Sequence, residues 1–238
     1  MTFSLKNTWV YDFLSMLYPE TCAACGKSLQ HQEELLCLFC EHELPQTDYH
    51  LTPKENPIAK KFWGRVELEN VAAFYFFSKG SKVQRLVHAL KYKSRQDIGI
   101  KVGEMYGEIL AQNADFQQVN SIIPIPLHPT KLARRGYNQS EALGQGLANS
   151  MDIPLDTTSL VRNAFTETQT RKTRFDRWEN VEHIFKLEQF PLLENKHILL
   201  VDDVITSGST IEAAARPILK LPNAKVSVVS MACALDLV

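Results

Sequence analysis

Several things are missing from this chain of 238 residues, and each absence excludes a class of protein. No apolar run approaches the roughly 18 residues that a membrane-spanning helix needs. Neither glycine, with 10 residues, nor proline, with 11, is enriched, which excludes collagen-like and low-complexity chains. Charge of one sign is not in excess: 26 Lys and Arg stand against 27 Asp and Glu. The chain is therefore not a polycation that coats nucleic acid, and any such role rests on a local patch. The amino terminus lacks the basic start, apolar centre and small-residue cleavage site of a secretory signal, so a cytoplasmic protein is expected. The strings G-x4-G-K-[S/T] and G-x-G-x-x-G are both absent, which argues against P-loop and dinucleotide folds. No internal repeat is present. Cysteine is scarce, but four of the five cysteines fall between positions 22 and 40, a density that points to a metal site.

What is present is enough apolar material, 45% of residues, for one α/β domain with an appended module. Trp9, Val10, Phe13, Leu14 and Leu17 recur at helical spacing and predict an amphipathic helix that packs on a later element. Its polar face lacks the Lys and Arg that would favour a membrane surface. The stretch from Pro45 to Pro57 is polar and proline-punctuated, which reads as a linker. From Val71 the pattern changes. Val71–Phe77 is a β-branched and aromatic run, and Val83, Leu86, Val87 and Leu90 share one helical face, so a strand feeds a helix. A second helix is expected from Asp97, with Gly99, Gly103 and Gly107 on one face for close backbone packing. Ser121–Pro126, His197–Asp203 and Lys225–Ala232 read as buried parallel strands, with helical patterning at Tyr137–Ser150 and Thr210–Lys220. Alternating strands and helices imply a parallel sheet with right-handed crossovers.

Cys22-x2-Cys25 and Cys37-x2-Cys40 form two thiolate pairs that can close a tetrahedral shell around zinc. Four sulfur ligands leave no position for a catalytic water, so the site is structural, and it would supply folding free energy that a small module lacks. Disulfides are disfavoured in a reducing cytosol. His31 and His42 read as surface histidines, and Cys233 as a small buried hydrophobe.

The run Leu199-Leu-Val-Asp-Asp-Val-Ile-Thr-Ser-Gly-Ser-Thr210 ends a hydrophobic strand in two carboxylates and enters a helix through a hydroxyl-rich loop. Backbone N–H groups, hydroxyls and the positive end of the helix dipole make such a loop a phosphate cradle. Asp202 and Asp203 just before it are placed to accept hydrogen bonds from the vicinal hydroxyls of a ribose. An acid pair at a strand end can also hold Mg²⁺ in receiver-like domains, but those do not require the Thr-Ser-Gly-Ser-Thr loop.

The run Ile198–Thr210 resembles the phosphoribosyl pyrophosphate (PRPP) signature of type I phosphoribosyltransferases. That resemblance implies ribose contacts from Asp202 and Asp203, and a 5'-phosphate site at Thr206, Ser207, Gly208, Ser209 and Thr210. It implies a pyrophosphate loop at Pro124, Ile125 and Pro126. It also implies a flexible catalytic loop within Thr168–Val181, where Arg171, Lys172, Arg174 and Arg177 would neutralise the leaving pyrophosphate, with Mg²⁺ on the PRPP oxygens. The cysteine pairs, His88-Ala-Leu-Lys-Tyr92, Pro124–Pro129, Arg134-Arg-Gly-Tyr-Asn-Gln139 and the PRPP loop, in that order, are similar to the ComF competence-protein family. The resemblance implies an amino-terminal zinc module, residues 1–60, joined to a phosphoribosyltransferase-like domain, residues 61–238, and a link to DNA uptake in natural transformation. Expected partners are PRPP, single-stranded DNA and competence or recombination proteins. Position 2 is Thr2, not the nucleophilic cysteine of a glutaminase, so ammonia from glutamine is not supported as the acceptor.

A second reading stays open, in which the domain binds PRPP or a nucleic-acid end without turnover. Lys79, Lys82, Arg85, Lys91, Lys93 and Arg95 follow one another with no intervening acid, and Lys131, Arg134 and Arg135 form a second cluster. Such clusters can hold single-stranded DNA phosphates, with Tyr92 or Tyr137 as stacking platforms.

Overall fold

A computed structural model describes residues 19–163 and 184–234. The amphipathic segment around Trp9 and Leu14 and the basic residues Arg171, Lys172, Arg174 and Arg177 lie outside the described residues. The chain forms two compact units, Met1–Leu44 and Pro45–Val238.

In the smaller unit an antiparallel bridge between Thr21 and Ser28 closes a tight knuckle. Gly26 turns it at φ +79°, and its N–H donates to the Cys22 carbonyl at 2.8 Å. A positive φ costs glycine nothing, which suits it to this corner. The second cysteine pair sits at the start of α1, Leu38–Glu43.

The larger unit begins with a segment that the sequence reads as a linker but that packs on the first strand. Thr47 N–H donates to the Phe74 carbonyl at 3.0 Å. Asn56 caps α2, Pro57–Lys60, by accepting from Ala59 N–H at 2.9 Å, and its Nδ2 donates to the Val71 carbonyl at 2.7 Å. A buried amide that serves a helix cap and a strand end together fixes this stretch in place.

The strands that follow are β1 (Val71–Phe77), β2 (Ser121–Pro124), β5 (His197–Ile205) and β6 (Lys225–Ala234), and they form one sheet in the order β1-β6-β5-β2. All three pairings are parallel. A short antiparallel pair, β3 (Leu160–Arg162) and β4 (Phe185–Leu187), stands apart. The helices are α3 (Lys82–Tyr92), α4 (Gln96–Ala111), α5 (Pro129–Arg135), α6 (Gln139–Met151) and α7 (Ser209–Leu219). β5 is buried from His197 to Val201, and β6 from Val226 to Cys233; near-continuous apolar burial marks strands covered on both faces. The parallel sheet flanked by helices is the α/β architecture expected above.

α4 and α6 pack at backbone contact. A Cβ on Gly103 would stand 2.3 Å from the Leu143 carbonyl, and one on Gly146 would stand 2.0 Å from the Ile100 carbonyl. The glycines of α4 therefore allow close helix packing, as their spacing suggests, and Gly146 of α6 supplies the matching face. That contact holds α6 against β2 and β5, with its amino-terminal end beside the carboxyl ends of both strands.

Candidate functional site

In the register Pro124 lies opposite Val201 and Ile205 opposite Cys233, so the carboxyl ends of β2, β5 and β6 share one edge. In open parallel sheets ligands bind at that edge. β5 delivers Asp202 and Asp203 there, both half-buried, and the chain then passes through Thr206, Ser207 and Gly208 into α7. Asp202 Oδ1 accepts from the Asp203 N–H at 2.8 Å and from Ser140 Oγ at 3.2 Å. Asp203 Oδ2 is paired with Lys91 Nζ at 3.0 Å. Burial, and then the neighbouring Asp203 charge, push the Asp202 carboxyl up to about 7, against the opposing pull of its hydrogen bonds and of Lys91. Two adjacent carboxylates share one cation at this strand end, and like charges in one site raise the pKa of one member.

The loop after them is shaped for an anion. Thr206, Ser207, Ser209 and Thr210 are exposed, while Gly208 is buried at φ +77°. A Cβ there would meet the Phe62 ring at 2.7 Å, so only glycine fits on grounds of both backbone and space. Ser207 and Ser209 hydroxyls lie 3.1 Å apart. The Glu212 N–H is the first to bond back, to the Gly208 carbonyl at 2.9 Å, which leaves the preceding N–H groups of α7 without carbonyl partners in the helix. The Ser209 N–H donates to Ser207 Oγ at 3.4 Å, and the hydroxyls, the first N–H groups of α7 and the dipole lie together at this helix start.

The β2 end is held to this site through α6. The Ile125 N–H donates to the Val201 carbonyl at 2.9 Å, and Asn138 Nδ2 donates to the Ile125 carbonyl at 3.0 Å. Pro124 and Ile125 are buried and Pro126 is half-buried, so this loop offers backbone groups and shape instead of charge. Arg135 donates to Gln139 Oε1 at 2.5 Å, and its guanidinium lies 5.4 Å from the Tyr92 ring. Arg162 on β3 is near enough for the Asp202 charge to act on it, although burial, the larger effect, depresses its basicity.

Sequence reading missed Lys91, Ser140, Arg162 and Phe62 as parts of this site, and Arg65, whose Nη1 donates to the Ser207 carbonyl at 3.2 Å. Lys91 stood in the stretch assigned to DNA phosphates, yet it is the counter-ion of Asp203. The only available signal was its place in His88–Tyr92, one helical face away from the apolar stripe. The stacking expectation is corrected in part: Tyr92 is 58% exposed, but Tyr137 is 9% exposed, and its hydroxyl donates to the Leu90 carbonyl, which leaves no free face for a base. Arg95 forms an ion pair with Asp97 at 2.7 Å, so it is not free for phosphate.

The four cysteines of the smaller unit have their sulfur atoms within 4.8 Å of one another, and Cys25 and Cys37 sulfurs are 3.8 Å apart. Burial raises the Cys22 thiol pKa, but the N–H groups of Cys37, Cys25 and Ala24 outweigh it and bring the thiol down to about 7. Burial and the neighbouring thiols push Cys40 up to about 12. A set that favours one thiolate and resists the next fits a cation that neutralises them all. His31 and His42 are exposed and outside the cluster, and Cys233 is fully buried.

Fold and site together define an α/β protein with a phosphoribosyltransferase-type domain, and the family model for the phosphoribosyl transferase domain matches residues 138–236. The chain is 30% identical over 210 residues to the DNA utilization protein YhgH of Escherichia coli O157:H7, covering 87% of each. It is 31% identical over 227 residues to competence protein ComFC of Bacillus subtilis, covering 92% of this chain and 85% of that one. It is 36% identical over 116 residues to competence protein F of Haemophilus influenzae, covering 47% and 49%. Among solved structures it is similar to the glutamine PRPP amidotransferase from B. subtilis, at 19% identity and a TM-score of 0.43, over 61% of this chain and only 30% of that chain. The chain belongs to the ComF family. Among the described residues no helix is long and apolar enough to cross a membrane.

The raised pKa of Asp202 gives a signed expectation. A carboxyl held near 7 in the folded state and near its ordinary value of 3.8 in the unfolded chain costs no stability when protonated in both states. The cost appears as pH rises through that interval and is complete above it. Asp202→Asn, which keeps the acceptor for Ser140, should raise the thermal unfolding midpoint at pH 8 and leave it unchanged near pH 3. An equal shift at both values would show that the carboxyl carries no such cost.

Proposed function

We propose that the protein binds PRPP at the carboxyl ends of β2 and β5 and transfers the phosphoribosyl group to an acceptor with release of pyrophosphate. The observation that carries this reading is the acid pair running directly into the Thr206–Thr210 loop, with the Pro124–Pro126 turn at the neighbouring strand end. Asp202 and Asp203 would accept from the ribose hydroxyls, Thr206, Ser207, Gly208, Ser209 and Thr210 would hold the 5'-phosphate, and Pro124, Ile125 and Pro126 would face the pyrophosphate. In the reaction the bond from the anomeric carbon to the pyrophosphate oxygen breaks, its electron pair leaves with pyrophosphate, and the acceptor forms the new bond. Arg171, Lys172, Arg174 and Arg177 would close over the departing group and exclude water. Mg²⁺, a hard cation suited to phosphate oxygens, would neutralise the leaving pyrophosphate. The four cysteines would hold zinc in a structural site. The names of the relatives, DNA utilization protein and competence protein, support a place in DNA use or competence; a cytoplasmic location and competence or recombination proteins as partners complete the proposal.

A second reading has one observation in its favour. Lys79, Arg85 and Lys93 are exposed, and so is Tyr92 at the carboxyl end of α3; basic residues and an exposed aromatic on or next to one helix suit single-stranded DNA without turnover.

Calorimetry with PRPP and Mg²⁺ on the wild type and on the Asp202→Ala, Asp203→Ala double variant tests the first reading. Binding in the wild type and its loss in the variant is the expected result, and equal affinity refutes it. For the second reading, affinity for single-stranded DNA should fall steeply with salt; absent or salt-insensitive binding sinks it. Chelation of metal from the purified protein should release about one zinc per chain and make the four thiols reactive toward a thiol reagent. Protein that carries no zinc, with these thiols already reactive, would count against the zinc assignment.

A further inference from the structure

The matched domain, residues 138–236, does not include the side chains that back the phosphate loop. They come from the turn after α2. Gly64, at φ +73°, reverses the chain there, and the Arg65 N–H closes the turn on the Phe62 carbonyl at 2.9 Å. Two side chains from this turn reach the loop. The Phe62 ring, 1% exposed, fills the space beside Gly208 that a Cβ would need. Arg65 Nη1 donates to the Ser207 carbonyl at 3.2 Å, while its Nη2 pairs with Glu212 on the first turn of α7. Arg216 Nη2 holds the other Glu212 oxygen at 2.6 Å and donates to the Arg65 carbonyl at 3.2 Å.

This geometry has two consequences. A trans peptide points its C=O and N–H in opposite directions. With the Ser207 carbonyl turned toward Arg65, the Gly208 N–H is directed the other way, away from the backing turn. And the two guanidiniums share one carboxylate, so the cluster of Arg65, Arg216 and Glu212 carries a net positive charge behind the loop. Glu212 stays ionised: burial alone would raise its pKa, but the hydrogen bonds of Arg216 and Arg65 hold it below the usual range. An arginine suits this place because a planar fork reaches a carbonyl and a carboxylate together, which a lysine ammonium cannot.

We propose that Arg65 is a positioning residue for the 5'-phosphate loop: it sets the Ser207–Gly208 peptide so that an N–H faces a phosphomonoester, and it adds an unbalanced positive charge behind the loop. The ligand class this selects is a phosphomonoester, for which ribose 5-phosphate serves as the probe. The proposal rests on the phosphate reading of the loop given above and assigns part of that site to residues outside the matched domain.

The test uses the full chain, with ribose 5-phosphate and inorganic pyrophosphate as separate calorimetric probes, on wild type, Arg65→Ala and Arg65→Lys. Loss of a charge-assisted hydrogen bond predicts affinity for ribose 5-phosphate lower by on the order of tenfold in Arg65→Ala. Pyrophosphate affinity should be unchanged, since that probe belongs to the β2 loop. Arg65→Lys, which keeps the charge and loses the fork, should recover only part of the loss, and it carries the same comparison if Arg65→Ala fails to fold. Unchanged ribose 5-phosphate affinity in both variants overturns the proposal, and so does an equal loss for the two probes. A wild type that binds neither ribose 5-phosphate nor PRPP overturns the phosphate reading itself, and this proposal with it.

Discussion

The parallel pairing of β5 with a neighbour on each side is the constraint on which the site depends. β6 pairs with β5 from His197 to Ile205 and β2 pairs with it from Ile198 to Val201, and β5 is buried from His197 to Val201. A strand held in this way cannot slide by one residue without turning its buried side chains to the other face. Its carboxyl end is therefore a fixed point. Asp202 and Asp203 can sit side by side there, despite their repulsion, because the strand leaves them no other place and Lys91 offsets part of the charge. Removing one carboxylate would relieve the cost of burial and repulsion, and under the proposed function it would also remove a group that meets the ligand. Stability and function pull in opposite directions at this position, as they often do where strain is concentrated at a site.

The second constraint is the helix contact that brings α6 to the site. Without a side chain on Gly103 or Gly146, α4 and α6 approach at backbone distance, and α6 can then present Asn138, Gln139 and Ser140 where β2 and β5 end. One short stretch thus caps its own helix, holds the Ile125 carbonyl and donates to Asp202. The ring of Tyr137 turns inward and locks the same stretch to α3 through the Leu90 carbonyl. What looks in the sequence like a string of polar residues is a connector between the two strand ends and the helix that carries Lys91.

Local patterning carried much of the architecture. The apolar run Val71–Phe77 is β1 at the same limits, and Ser81 is the cap of α3, accepting from Gln84 N–H. Strands β5 and β6 were legible because continuous burial selects β-branched and aliphatic residues, and Gly99, Gly103 and Gly107 because close packing tolerates nothing larger. The four-cysteine spacing marked its own cluster. The short pair β3 and β4 was not legible, since three-residue strands carry too few side chains to show a period. The stretch from Pro45 onward was misread as a linker because its order comes from single polar anchors, Thr47 and Asn56, and not from an apolar repeat.

The amino-acid sequence by itself determined the class of fold, the hydroxyl-rich loop after β5, the acid pair and the four-cysteine cluster, because each of these is local: a strand, a turn and a helix start lie within one short run, and two knuckles each need only a pair of cysteines. Only the tertiary structure decided which cations face the acid pair and what backs the loop. Lys91 reaches Asp203 across 112 positions and Arg65 reaches Ser207 across 142. A lysine or arginine on an exposed helix or turn looks the same in sequence whether it faces water or a carboxylate. Its partner is chosen by the packing of the elements between them, and no local pattern carries that choice.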